Sequence, residues 1–288
     1  MLLDVHTHAF HPKIADKVLA QLSGHYGITP VGTGLASDLL RRVAKAGLDG
    51  AVVHTAATGP AQVIPANNWA MEIAAENPGL IGFGSIHPEF PDFEAELDRL
   101  YAAGVPGIKI HPDFQGFFLD DPRLGPIFEA AGDRFVFMVH VGDRLPPEQN
   151  PSCPRKLAKI VKDFPGLRLI AAHMGGYLHW RYALEHLAGL DLYIDTSSTL
   201  PFIDDDLLRL LYDSHPPERI LFGSDYPLFD PKAELEQLAS RLHLSDSRLE
   251  LHLTAAGELI KPGAGTRAAD ELIKPRTGSR ATGERIKP

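Results

Sequence analysis

Short runs of apolar, β-branched residues recur through the first 260 positions, each bounded by turn residues and followed by apolar positions at helical spacing. The runs are Leu2–His6, Gly50–His54, Leu80–Ser85, Gly107–Ile110, Phe135–Val139, Leu167–Ala172, Leu190–Ile194 and Arg219–Phe222, which predicts eight strands. Between them the helical stripes have recognisable ends. Phe93, Leu97, Leu100 and Tyr101 follow Asp92 as N-cap and stop at Gly104. Asp121-Pro122 opens the next stripe, Leu124, Ile127, Phe128 and Ala131, which ends at Gly132. Leu39, Leu40, Val43 and Ala44 after Ser37 repeat the formula and close at Gly47. The connections over 11–34 and 57–68 read as long loops that shape a pocket.

Strands that read as continuous apolar runs, each followed by a helix, imply parallel strands covered by helices. The α/β fold this predicts is a (β/α)₈ TIM barrel over residues 1–260, whose size matches the roughly 250 residues usual for that fold. A doubly wound open sheet would place a glycine-rich phosphate turn after the first strand, whereas here that strand runs into His6-Thr7-His8. Residues 261–288 differ in kind. Glu258, Glu271 and Glu284 begin three copies of a Glu-Leu/Arg-Ile-Lys-Pro unit spaced 13 residues apart. A unit so short, with little apolar content, cannot bury a face of its own, so the tail is expected to be a disordered appendage.

The chain has 288 residues, 44% of them hydrophobic and 23% charged, which excludes disorder of the whole. A formal charge of -9 argues against a nucleic-acid binder, and the tail alone carries seven Lys/Arg against three Asp/Glu. No apolar run reaches the roughly 18 residues of a membrane span. Asp4 interrupts the start before a signal segment forms, so a cytoplasmic location is expected. Cys153 is the single cysteine, so any metal must be held by His, Asp, Glu or a modified Lys.

The chemistry is expected where the strands end. His8, His54, His87, His111, His140, His173, Asp195 and Asp225 fall at or near the C-terminal ends of the eight strands in order. A barrel gathers those ends on one face, where active sites are built. With fourteen histidines in the chain, about 0.7 His-x-His matches arise by chance, so position carries the weight. Strand residues i and i+2 share a face with Cα atoms roughly 6.5 Å apart, which lets His6 and His8 chelate one ion. His140, His173 and Asp225 supply further N/O donors, a set that fits a catalytic divalent ion, with zinc favoured by imidazole.

These residues resemble the amidohydrolase superfamily. Asp4-Val-His-Thr-His8, Gly107-Ile-Lys-Ile-His-Pro112, Ala172-His-Met-Gly-Gly176 and Gly223-Ser-Asp-Tyr-Pro227 are similar to the branch that includes aminocarboxymuconate semialdehyde decarboxylase and many metal-dependent hydrolases. The resemblance implies that His6, His8, His140 and Asp225 hold a single divalent ion. It makes His173 either a catalytic residue or a ligand of a second ion. A strand-four lysine is carbamylated in binuclear members, and Lys109 lies on that strand. His111 shares its face, so Lys109 is equally compatible with a substrate-binding or salt-bridged role. Arg144, after strand five, is a second candidate for a substrate carboxylate, while His54, His87 and Asp195 read as supports for the ligands.

The first functional expectation is a metal-dependent hydrolase acting on an amide, lactone or ester of a small molecule. The ion would bring the pKa of its water toward roughly 7, Asp225 would accept the proton, and His173 would orient the water or stabilise the oxyanion. The alternative on the same ligands is a non-oxidative decarboxylase of a small unsaturated or aromatic acid. A barrel that only binds is the third reading.

Overall fold

The computed structural model describes residues 1–260; the expectation for the tail lies outside the described residues. The strands are β1 (Leu3–Thr7), β2 (Gly50–His54), β3 (Leu80–Ser85), β4 (Gly107–Ile110), β5 (Val136–Val139), β6 (Arg168–Ala171), β7 (Tyr193–Asp195) and β8 (Ile220–Leu221). They pair in sequence order, each parallel to the next. Val5 N donates to Phe222 O (2.9 Å), Asp225 N to His6 O (2.8 Å) and His8 N to Tyr226 O (2.7 Å), which joins the last strand to the first. The fold is the expected TIM barrel.

The last two strands are shorter than the apolar runs suggested, because Leu190 lies in the bend before β7 and Arg219 ends a short 3₁₀ helix before β8. The helices are α1 (Ala15–Tyr26), α2 (Ala36–Lys45), α3 (Val63–Glu76), α4 (Phe93–Ala102), α5 (Pro112–Gln115), α6 (Leu124–Ala131), α7 (Pro154–Asp163), α8 (Trp180–His186), α9 (Asp205–Asp213), α10 (Pro231–Arg241) and α11 (Asp246–Leu259). Ser37 proves to lie inside α2, which starts at Ala36, and Asp121 precedes α6 by a turn, its carboxylate accepting Arg123 N (2.9 Å). The two expected loops contain α1 and most of the first turns of α3.

Two apolar layers follow from strand alternation. Val53, Ile108, Phe137 and Leu169 face outward, in one core with Leu39, Ile73, Leu97, Phe128 and Leu157 of the helices. Val52, Phe83, Val136, Met138, Ile170 and Leu221 face inward. Ala256 and Leu259 of α11, with Ile260, join that inner cluster. Arg168, at the start of β6, donates to Leu259 O (3.1 Å), which places the end of α11 at the N-terminal mouth. A Cβ on Gly82 would lie 2.0 Å from Ala70 O, so glycine there is what lets α3 rest directly on β3.

Candidate metal centre

The interior becomes polar toward the strand C-termini. The register between β1 and β2 shifts between Asp4 and Thr7, a bulge that leaves Leu3 and Val5 in the inner apolar cluster yet turns His6 and His8 into the same interior. His6 Nδ1 is 2.8 Å from Asp195 Oδ2 and its Nε2 is 3.0 Å from Lys109 Nζ, so side chains of β1, β4 and β7 meet inside the barrel. Asp225 brings its Oδ1 to 3.2 Å from His8 Nε2 and 3.8 Å from His6 Nε2. His6, His8 and Asp225 thus form one group whose donor atoms all lie within 4.8 Å of one another.

His140 lies outside that donor group and is linked to it through His173. Its Nδ1 is 2.9 Å from His173 Nε2, and the Ser197 hydroxyl touches both His173 Nδ1 and His6 Nδ1 at 2.9 Å. Asp195 holds the network from behind. Its Oδ1 accepts the backbone N–H of His173 (3.2 Å) and Ser197 (2.9 Å), and also the Ser197 hydroxyl.

These contacts settle which ring nitrogens carry hydrogen, because carboxylates and carbonyls only accept. Asp195 makes His6 Nδ1 a donor, and the carbonyl of His54, 3.1 Å away, does the same to His8 Nδ1. The Ser197 carbonyl, 3.1 Å from His173 Nδ1, leaves His173 Nε2 as a lone pair, so His140 Nδ1 must donate to it. The Nε2 atoms of His6, His8 and His140 therefore all present lone pairs. His140 Nε2 is buried and has no hydrogen-bond partner among the described residues. His8 Nε2 faces a carboxylate oxygen at 3.2 Å, an arrangement that calls for positive charge between them. Three imidazole nitrogens and one carboxylate, each with its opposite side fixed, suit a divalent cation.

Electrostatics agree. Burial lowers the pKa of His6, His140 and His173 below the usual imidazole range, which keeps them neutral. Burial alone would raise Asp225, but the contact with His8 and the cluster of imidazoles around it hold it well below the usual carboxylate range. Ser198 Oγ donates to Asp225 Oδ2, leaving Oδ1 for the imidazoles. Burial brings Lys109 down to about 8 against the pull of Asp195 and Asp225. His173 (φ 64°), Ser198 (φ 46°) and Asp225 (φ 60°) all take the left-handed backbone conformation, strain concentrated at the ends of β6, β7 and β8.

The remaining candidates lie around this core. His111 stacks on His140 with centroids 3.7 Å apart and planes 10° apart. Its neighbour Asp113 could complete a His111–Asp113–His140 donor group, but the Asp113 oxygens already accept from Ser152 Oγ (2.5 Å) and Asn150 Nδ2 (3.1 Å). Arg144 is exposed and donates to the Tyr26 carbonyl at the end of α1. His87 bonds Gln115 O (3.0 Å) and His54 bonds Val5 O (2.8 Å), both as supports. Asp4, Ser197, Ser198 and Tyr26 were not foreseen. Asp4 Oδ1 accepts from His6 N (3.2 Å) and Ser224 N (3.0 Å), tying the two ligand-bearing strands together, and the Asp-x-His-x-His spacing was the one signal for it. His140, His173, Ser198 and Asp225 share a narrow cleft with Tyr26, Ile28, Tyr177 and Leu228.

A closed barrel with imidazole and carboxylate donors at its strand ends defines an enzyme of the metal-dependent barrel class. The chain belongs to the Amidohydrolase family, whose sequence profile matches residues 3–255. It is 27% identical over 207 residues to the 2-amino-3-carboxymuconate-6-semialdehyde decarboxylase of Dictyostelium discoideum, a match that covers 59% of this chain and 56% of that protein. The chain thus spans little more than half the length of this curated relative. Among solved structures it resembles an uncharacterised TIM-barrel protein of Bordetella bronchiseptica (TM-score 0.72, 17% identity, 90% and 97% of the two chains). It also resembles 5-carboxyvanillate decarboxylase of Novosphingobium aromaticivorans, complexed with manganese and a hydroxy-methoxy-nitrobenzoic acid (0.66, 16%, 90% and 96%). A probable 2-pyrone-4,6-dicarboxylic acid hydrolase of Acinetobacter baumannii is similar as well (0.65, 13%, 90% and 98%). No helix among the described residues is long and apolar enough to cross a membrane.

Proposed function

We propose that the chain is a metal-dependent decarboxylase of a small unsaturated or aromatic carboxylic acid, and that His6, His8, His140 and Asp225 hold one divalent ion. The observation that carries the metal is the set of lone pairs left by the pinned tautomers, above all the partnerless Nε2 of His140. Decarboxylation takes precedence over the hydrolysis expected first from sequence. The curated relative and the manganese-bound neighbour are both named decarboxylases, and the cleft walls include Tyr26, Tyr177, Ile28 and Leu228. Manganese and zinc both suit this N/O donor set.

Losing carbon dioxide requires that the carbon keep the bonding electrons and take a proton. A bound ion supplies the positive charge that stabilises an oxygen of the substrate as electrons move toward it. Asp225, held as an anion, accepts the acidic proton of a substrate hydroxyl and returns it to the carbon, and solvent makes good the proton consumed overall. His173, neutral and at the same cleft, is the second group able to move a proton. Lys109 Nζ donates to His6 Nε2.

The test is the product. A manganese- or zinc-loaded protein offered phenolic and unsaturated acids should release carbon dioxide and, in heavy water, place one deuterium on the product carbon. Incorporation of labelled water oxygen without gas release would establish the hydrolase instead, which the probable hydrolase among the structural neighbours keeps as the second reading. His6→Ala should lose metal and turnover together, and full activity in that variant without metal would refute both.

A further inference from the structure

A decarboxylase must hold the carboxylate it removes. Arg144 is exposed and donates one N–H to the Tyr26 carbonyl, and Lys109 donates to His6 Nε2, the atom the ion would take. We propose that the hydroxyl of Tyr26, backed by the imidazole of His111, receives the departing carboxylate; this rests on the decarboxylase reading of the site.

Helix α1 brings the Tyr26 hydroxyl to 3.5 Å from His111 Nε2, and Tyr26 borders the same cleft as Asp225 and His173. His111 cannot turn away. Its ring is sandwiched between Phe114 (4.1 Å, 9°) and His140 (3.7 Å, 10°). The backbone N–H of Phe114, 3.4 Å from His111 Nδ1, can only donate, so Nδ1 carries the lone pair and Nε2 the hydrogen. That hydrogen points to the Tyr26 oxygen and leaves the hydroxyl hydrogen of Tyr26 for the cleft. Burial first, and then Asp143, Asp225 and Asp113, raise the phenol well above its usual pKa, so it remains a donor at every working pH.

A neutral donor suits this step better than a cation does. As the carbon–carbon bond breaks, negative charge leaves the carboxylate for the carbon, and carbon dioxide departs uncharged. A guanidinium paired with the carboxylate would stabilise the ground state more than the transition state, whereas a hydroxyl orients it at smaller cost to the barrier. Ile28 and Leu228, beside Tyr26 in the cleft, keep that end poorly hydrated.

The experiment measures binding of benzoate and of phenol to the manganese-loaded full chain by calorimetry, in the parent, Tyr26→Phe and His111→Phe. Tyr26→Phe should weaken benzoate about tenfold and leave phenol within twofold, the phenol serving as the control for an intact cleft. For any acid that is turned over, its KM should rise while kcat is kept. His111→Phe, which keeps the stacked plane without the N–H, should weaken benzoate about threefold. Unchanged benzoate binding by Tyr26→Phe, or equal losses for both probes, would overturn the proposal. If benzoate discrimination holds while no acid releases carbon dioxide, the carboxylate site stands and the reaction reading falls.

Discussion

A neutral imidazole has one N–H and one lone pair, so the partner of one ring nitrogen decides what the other can do. Asp195 exerts that control on His6 directly and on His173 through Ser197, from a strand next to that of His173 and two away from that of His6. Asp195→Asn replaces an acceptor-only group with one that can also donate, so His6 is no longer held to a single tautomer. Metal affinity should fall 10- to 100-fold, read by competition with a chromophoric chelator, and an unchanged affinity would refute the role. Another buried carboxyl affects stability. Glu234 on α10 is pushed up from its ordinary 4.5 to about 8 by burial, and then by Asp225 and Asp4. An acid whose pKa rises on folding takes up a proton as the chain folds. Stability is therefore unaffected below 4.5, declines by roughly 1.4 kcal/mol per pH unit up to about 8, and levels off above. Glu234→Gln should melt like the parent at pH 5 and higher than it at pH 8. A melting difference that does not change with pH would contradict this.

At the scale of elements, β1 and the turn after β8 carry the site, and Gly223 sets how closely they approach. A Cβ there would lie 2.8 Å from the His6 Cβ and 3.3 Å from Asp195 Oδ1. Gly223→Ala should displace His6, cost about 1–3 kcal/mol by overpacking and weaken metal binding, seen by melting and chelator competition together. Normal metal binding in this variant would show that the neighbours yield. Eight strands and the strand-end histidines were legible because buried parallel strands read as apolar runs and imidazole stands out at their ends. The bulge in β1 was not. Strict alternation puts Val5 and His6 on opposite faces, and only a register shift against β2 places both inside. Helix α1 was read as loop because Ile14, its N-cap, makes no side-chain cap bond and Gly24 falls in its last turn. With α1 unseen, Tyr26 could not be placed at the cleft. Serines 197 and 198 carry no sequence signature, since a hydroxyl gains its role from the strand end that bears it.

The whole barrel separates stability from chemistry. Its N-terminal mouth is plugged by Leu259 and Ile260 at the end of α11, which pack with Leu3, Val136, Ile170 and Leu221, while the donor atoms gather at the other end. Leu259→Ala leaves a cavity in the plug and should cost about 2–3 kcal/mol. Metal acts on the same folding equilibrium from the opposite end, because an ion that binds only the folded chain stabilises it by about 2.7 kcal/mol at a hundredfold excess over Kd. Side chains this far apart with no shared partner should contribute additively. Melting the parent and Leu259→Ala with metal and with chelator should therefore give two parallel drops: chelation lowers both proteins by the same free energy, and the substitution lowers both metal states equally. The metal Kd of Leu259→Ala should equal that of the parent. A variant that loses metal affinity together with its plug would mean that the strands transmit strain along their length and that the two ends form one cooperative unit.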